Sequence, residues 1–357
     1  DMHITETAIA GLLIIDLDVH GDNRGWFKEN WQREKLTGLA PELASFQPVQ
    51  NNISFNHAGA TRGLHAEPWD KLISVAQGKI FGAWCDLREG SESFGEVITH
   101  EIGPETAVFV PRGVANGFQA LEDTSYSYLV NEHWSAEARY AAVNLDIVDW
   151  PLELTEISEK DKQHPSLEEV SPMPARRILV TGANGQLGRA LKRLLGDAEF
   201  CSHADFDITN PPERNWKQYS TIINCAAYND VNGAENDRAA AWAVNAEGPA
   251  KLARIAAENQ ITLVHVSSDY IFDGANEVHT EAELPSPLSA YGASKAAGDT
   301  AAQTAPQHYV IRTSWVFGDG ENFMSTMRRL ANKGVEPKVI HDPVSYTHLR
   351  AHETPEH

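Results

Sequence analysis

The sequence predicts two domains, an all-β sandwich or barrel followed by an α/β domain built on a parallel sheet. Three observations lead there. The chain has 357 residues, more than one hydrophobic core usually organises at roughly 100–200 residues per domain. Through residue 150 it reads as short strands broken by Gly, Pro and Asn, a rhythm of sandwiches and barrels. From Arg177 a short apolar strand enters a glycine-rich turn and then a helical pattern, which is how parallel strands joined by helices begin.

In the first half, Lys79–Leu87, Val97–Ile102, Ala107–Pro111 and Ser125–Val130 are the clearest predicted strands. In the second, Arg177–Thr181 and Thr221–Ala227 are apolar strands flanking the turn and helix. Between the halves, His164–Pro174 carries three prolines and no usable periodicity, so a linker is expected there. The expected boundaries are a first domain at 1–163, a linker at 164–175, a second domain at 176–343 and a tail at 344–357. The tail holds three histidines whose spacing fits no tetrahedral metal site, and it reads as translated vector or adapter sequence.

Hydrophobic residues make up 42% and charged residues 22%, which excludes a disordered or low-complexity chain. Fifty acidic against 29 basic residues give a formal charge of −21, a field that repels nucleic acid and anionic membranes. Residues 1–172 carry −16 of that charge and the remainder −5. Cys85, Cys201 and Cys225 lie far apart and are odd in number, against both a disulfide framework and a zinc ribbon. The apolar run Ala8–Ile15 is too short and lacks the basic flank of a signal peptide. A cytoplasmic protein is expected.

Thr181-Gly182-Ala183-Asn184-Gly185-Gln186-Leu187-Gly188 follows a predicted strand and opens a predicted helix. Such glycines permit a tight turn and close approach of a pyrophosphate to the helix N-terminus; a glycine turn without ligand is the plain alternative. Downstream, Tyr291 and Lys295 stand four apart, on one face of a helix. A cation near a phenol lowers its pKa, so the pair could protonate a carbonyl oxygen as hydride arrives. With Asn224–Tyr228, Ser267–Gly274, Ser286–Lys295 and Arg312–Gly318, this order of motifs resembles the extended short-chain dehydrogenase/reductases, and within them the dTDP-4-dehydrorhamnose reductases. The resemblance implies a Rossmann-type doubly wound parallel sheet. It also implies Ser268, Tyr291 and Lys295 as catalytic, with Ser268 keeping the hydroxyl of the family's usual Thr. Gly182, Asn184, Gly185, Gln186, Leu187, Gly188, Asp207, Ala226, Ala227, Tyr291 and Lys295 would bind NADPH or NADH, and Trp315 the sugar. Asp207 reads equally as a strand-end cap, and no acidic residue marks the second strand's end, so the choice between NADH and NADPH stays open. The likeness stops near Pro343, short of the family's later elements, so the second domain is expected to be incomplete.

In the first half, Arg24–Glu29, Gln50–Ser54, Arg62–His65, Lys71 and Pro111–Phe118 sit in or beside predicted strands. Arg24, Arg62 and Lys71 within an acidic domain could clamp a diphosphate, and His65 has the pKa to take a proton from carbon beside a ketone; solvated arginines and a structural histidine are the alternatives. Together the motifs resemble dTDP-4-dehydrorhamnose 3,5-epimerases, cupin-type jelly rolls, over residues 4–168. The resemblance implies His65 as base, Asp161 as the carboxylate orienting it, and Tyr128 as acid on the opposite sugar face. Arg24, Glu29, Gln50, Asn52, Arg62, Lys71, Asn116 and Lys160 would contact substrate. Asn116 stands where a histidine is common, Glu67 where a Gln follows the His motif, and Arg139 where a Glu is expected. One histidine in the motif is too few for a metal-using cupin, so no catalytic metal is expected.

The whole chain is thus expected to be a bifunctional enzyme of dTDP-L-rhamnose synthesis. It would epimerise dTDP-4-dehydro-6-deoxy-D-glucose at C3 and C5 and reduce the C4 ketone with NAD(P)H, with no cofactor for the first step. A homodimer through the jelly roll, and neither nucleic-acid nor membrane partners, complete the expectation. The alternatives are an epimerase beside a non-functional reductase, or a nucleotide-sugar binding module.

Overall fold

Alternation of inward and outward side chains builds two antiparallel sheets in the first half of the computed structural model. The six-stranded sheet runs His3–Glu6, Leu13–Asp16, Thr106–Val110, Lys71–Gln77, Thr124–Val130, Gln50–Asn56; the five-stranded one runs Ala141–Ala142, Thr61–Ala66, Val114–Ala120, Ile80–Asp86, Val97–Ile102. The structure describes residues 2–314, 316, 318–320 and 323–333, and the chain divides into units Asp1–Ala175 and Arg176–His357. Trp315 and the tail 344–357 lie outside the described residues.

The inner faces of the two sheets meet in one core, where Ile73, Val75, Val108 and Tyr126 of the first pack with Ile80, Trp84, Val114 and Phe118 of the second. That is the packing of a jelly-roll sandwich. The outer face of the six-stranded sheet is covered by Leu36, Leu43 and Phe46, which rest on Leu13, Leu72 and Phe109. On the outer face of the five-stranded sheet, Val143, Leu145, Val148 and Met173 rest on Leu64, Ala83 and Cys85.

Residues 164–175 are therefore no linker. Leu167, Val170 and Met173 are apolar pegs three apart that pack into the first unit, and Met173 bonds through its backbone to Leu87 and Glu89 at 2.8 and 2.9 Å. The prolines around them mask that spacing in the sequence.

The second unit holds a parallel sheet in the order Glu199–Cys201, Arg177–Thr181, Tyr219–Asn224, Thr262–Ser268, His308–Thr313. The chain moves to one side of Arg177–Thr181 and then to the other, so the strand's C-terminal end lies at a topological switch point, where α/β proteins bind ligands. Helix Gly248–Asn259 lays Leu252, Ala253 and Ala256 against Leu179, Ile222 and Leu263. A buried polar ladder crosses three adjacent strands: Thr181 Oγ1 donates to Asn224 Oδ1 at 2.7 Å, and Asn224 Nδ2 meets His265 Nδ1 at 3.1 Å.

One ion pair in the first unit carries a pH dependence. Asp86 is fully buried and takes hydrogen bonds from Arg88 Nε (2.9 Å), Ser91 Oγ and Ser93 Oγ (both 2.6 Å). Burial pushes its carboxyl up, but Arg88 and the two hydroxyls outweigh it and bring it down to about 2. A carboxyl lowered in the folded state stabilises above its ordinary value and loses that contribution as pH falls through the lowered one. Asp86→Asn should cost about 2 kcal/mol at neutral pH. The difference from the parent, read by urea unfolding, should shrink steadily between about pH 4 and pH 2.

Candidate active sites

In the first unit a cavity of about 580 Å³ opens beside the strand Thr61–Ala66, lined among others by Arg62, His65, Glu67, Lys71, Asn116, Tyr128, Lys160 and Asp161. Arg62 and His65 are three apart, so regular alternation would send them to opposite faces. Pairing with Val114–Ala120 instead shifts register between Asn116 and Phe118, and this irregularity brings both side chains to the cavity. Gly63 makes the shift possible. At φ +119° it occupies a conformation other residues rarely adopt, and a Cβ there would stand 2.6 Å from Gly117 Cα.

His65 Nε2 lies 2.8 Å from Asp161 Oδ1, and the backbone N–H of Gly63 donates to Asp161 Oδ2 at 3.2 Å. Asp161 is buried on the short helix Glu159–Lys162, capped by Ser158, whose Oγ accepts from the Asp161 N–H. Burial pushes the carboxyl up, yet the bonds from His65 and Gly63 dominate and leave it below its ordinary value. Across the cavity, Tyr128 is held above the ordinary phenol value by burial and then by the charge of Glu67, while a hydrogen bond with Asn52 opposes them. Lys71 pairs with Glu67 at 3.0 Å and lies 5.7 Å from the Tyr128 ring.

The other expected contacts fall in three groups. Arg62, Lys71, Lys160 and Asn116 line the cavity. Asn116 accepts from Trp84 Nε1 at 2.7 Å and donates to Tyr126 OH at 3.1 Å, so it braces the wall. Gln50 and Asn52 sit on the inward face of their strand, bonded to each other at 2.9 Å. Arg24 and Glu29 do not reach the cavity: Arg24 is exposed and paired with Asp22, and Glu29 with Lys35. Arg139 is exposed.

Sequence reasoning missed His164. Its ring meets the His65 ring edge-on at 5.0 Å, and its Nε2 lies 3.7 Å from Asp161 Oδ1. Burial, followed by the charge of His65, holds His164 below its ordinary value. One ligand atom each from His65, Asp161 and His164 falls within 4.8 Å of the others. The only textual signal was a histidine three residues after Asp161, inside a stretch taken for linker.

In the second unit Gly182 adopts φ +67°, and a Cβ there would sit 2.5 Å from Ala226 N, so the turn after Thr181 needs glycine. Gly185 starts the helix Gln186–Leu194 without a side-chain cap, and Gln186 Nε2 is buried with no hydrogen-bond partner among the described residues. Uncapped N–H groups and an orphaned amide suit an anionic group, so these residues fit a dinucleotide. A second cavity of about 630 Å³ is lined by Ala183, Asn184, Arg189, Lys192, Arg193, Phe200, Ser202 and Asp205. Asp207 bonds its own loop through Thr209 N and Oγ1 at 2.9 and 2.7 Å, as a local cap does. Leu187 and Gly188 lie in the first turn of the helix, and Ala226 and Ala227 follow the strand Tyr219–Asn224.

Tyr291 and Lys295 share helix Ala290–Ala302, and Ser268 closes the strand beside it. The phenol does not lie below its ordinary value, as a flanking lysine alone would place it. Burial pushes it up to about 12, with Ser268 pulling down through a hydrogen bond and Asp269 pushing up. Lys295 turns its ammonium to the Val266 carbonyl at 2.8 Å, and burial lowers it to about 8 against the raising charge of Asp299.

Comparisons with known proteins follow the same division. The family model described as dTDP-4-dehydrorhamnose 3,5-epimerase matches residues 6–169, and that described as RmlD substrate binding domain matches residues 176–347. A protein RmlC homolog of Streptococcus pyogenes serotype M6 is 52% identical over 181 residues, covering 48% of this chain and 91% of that protein. A dTDP-4-dehydrorhamnose reductase of Mycobacterium tuberculosis is 41% identical over 182 residues, 47% of this chain, and the chain spans 60% of that reductase's length. The solved structure of RmlC from Streptococcus suis in complex with dTDP-D-xylose is 49% identical, covers 49% of this chain and 95% of that one, and gives a TM-score of 0.46. Through its first unit the chain belongs to the dTDP-4-dehydrorhamnose 3,5-epimerase family, joined to a second unit that matches the RmlD substrate binding domain model.

Proposed function

We propose that the chain catalyses two consecutive steps of dTDP-L-rhamnose formation: 3,5-epimerisation of dTDP-4-dehydro-6-deoxy-D-glucose, then reduction of the C4 ketone. The observation that carries this reading is the His65–Asp161 bond of 2.8 Å at the edge of a cavity faced by Tyr128. The sugar's ketone acidifies the hydrogens at C3 and C5. With Nε2 donating to Asp161, Nδ1 of His65 is the basic nitrogen and takes the carbon-bound proton, while Asp161 stabilises the imidazolium. Tyr128, holding its phenolic proton firmly, returns one to the enolate from the other face. Arg62 and Lys160 offer positive charge to the diphosphate.

In the second unit Ser268 would hydrogen-bond the ketone oxygen, Tyr291 would deliver its proton and Lys295 would fix the ribose. A nicotinamide cofactor supplies the hydride when bound. Our choice is NADPH: Arg189, Lys192 and Arg193 face a cavity where Ser202 stands at the end of the second strand, the place of the usual acidic reader of a free 2′-hydroxyl. Asp205, the one acid there, is engaged by Ser202 N and Oγ at 2.9 and 2.7 Å. A second copy of the chain would cover Ile53 and Phe55, 70% and 58% exposed on the edge strand Gln50–Asn56. Among the described residues no helix is long and apolar enough to cross a membrane; nucleotide-sugar and NADPH chemistry fit a cytoplasmic setting.

The first test is solvent deuterium exchange into the 4-keto sugar, read by NMR. The parent should exchange C3 and C5, and His65→Ala should lose the exchange by roughly 10³-fold. A parent that exchanges neither position is a binding module and overturns the reading. Exchange without NADPH oxidation leaves an epimerase alone. In steady-state reduction the KM for NADPH should lie about tenfold below that for NADH, and Lys192→Ala should narrow the gap. Equal constants for the two cofactors in the parent would reject that choice. Because Lys295 is lowered to about 8, its positive charge is present below that pH and lost above it. Reductase turnover should therefore fall as pH rises through about 8, with the exchange reaction of the first unit keeping its own profile.

A further inference from the structure

We infer that His65, Asp161 and His164 form a binding site for a divalent transition metal of the zinc class, and that an ion seated there switches the epimerase base off. The inference rests on His65 being that base. Two imidazoles and one carboxylate are a ligand set such ions favour over magnesium or calcium. Bonds of about 2.0–2.1 Å in a tetrahedral site put ligand atoms about 3.3 Å apart. Here His65 Nε2 and His164 Nε2 lie 2.8 and 3.7 Å from Asp161 Oδ1, on either side of that spacing. All three donors fall within 4.8 Å of one another, so small side-chain shifts close the site.

The carboxylate ligand is already held from behind. Gly63 N–H fixes Asp161 Oδ2 at 3.2 Å, and the main chain of His164, though not its ring, is anchored by Asn144 Nδ2 on its carbonyl at 3.2 Å. Such outer supports strengthen metal sites. His65 and Asp161 line the open cavity, which leaves a fourth position for water or a substrate oxygen. Residues 1–172 carry a net −16, a field that concentrates cations; Lys160 and Arg62 in the cavity oppose it locally.

The effect on the base follows from the tautomer. A neutral imidazole has one N–H. Catalysis needs it on Nε2, donating to Asp161, with Nδ1 open to the sugar. A metal ion takes the Nε2 lone pair, so the single proton moves through solvent to Nδ1, which then has no lone pair for the carbon-bound hydrogen. No net proton or electron is gained or lost, and His65 is idle until the ion leaves.

The test titrates Co²⁺ alone into the metal-free full chain and reads its visible absorption. The chain's other histidines can contribute, so the informative quantity is the difference between variants. The parent should bind one more Co²⁺ than His164→Gln, with four-coordinate bands, and Zn²⁺ should displace it. Deuterium exchange at C3 should be blocked by micromolar Zn²⁺ and restored by EDTA. His164→Gln should raise the blocking concentration by about 100-fold or more. Asp161→Asn, read by absorption, should also lose the extra ion, which guards against misfolding in one variant. Equal Co²⁺ binding in the parent and both variants overturns the site. Binding without loss of exchange overturns the switch. A metal-free parent with no exchange at all refutes the epimerase reading, and the Co²⁺ difference then still decides whether the site exists.

Discussion

The chemistry proposed for the first unit depends on the hydrogen bond between His65 and Asp161, residues 96 apart in sequence. Asp161 is 5% exposed, and a carboxylate so placed is tolerable only if its oxygens are satisfied. His65 and the Gly63 N–H do this, one on each oxygen. The bond ties the segment after Ile157 to the strand Thr61–Ala66, and in the proposed mechanism it sets which imidazole nitrogen faces the sugar. The apolar pegs Leu167, Val170 and Met173 press the same segment down just beyond it, so packing and polar geometry reinforce each other.

The second unit distributes its constraint differently. The groups proposed to react lie close in sequence, with Tyr291 and Lys295 one helical turn apart and Ser268 at the end of the strand beside them. Burial is the dominant influence on both ionisable groups, raising the phenol and lowering the ammonium. Desolvation pushes the two toward neutrality at once, which widens the difference in proton affinity between them, the phenol rising to about 12 and the ammonium falling to about 8.

Local pattern was enough for the architecture. Apolar strands bounded by Gly and Pro, and a glycine turn between strand and helix, are read from a few neighbouring residues, and Arg177–Thr181 falls where its apolar run ends. The His65–Asp161 pairing came from family likeness, because nothing in either short motif specifies the other. Three features were not legible. The register shift at Gly63 depends on the facing strand, His164 acquires its neighbours only when the chain folds back, and Glu67 becomes a cavity residue through its pairing with Lys71. Arg24 and Glu29 stand apart from the cavity: each has an opposite charge close by in sequence, Asp22 and Lys35, and pairs with it at the surface.

The run of side-chain bonds from Thr181 through Asn224 to His265 has a mechanical meaning. Backbone pairing alone lets neighbouring strands slide slightly along their length, but these cross-links, from the ends of the first two strands to the middle of the third, fix the relative heights of all three. The glycine turn rises from the end of the first strand, and Ser268 closes the third, three residues beyond His265. In the proposed reading, the distance between a dinucleotide's phosphates and the Ser268 hydroxyl is thus kept by stitching that touches neither.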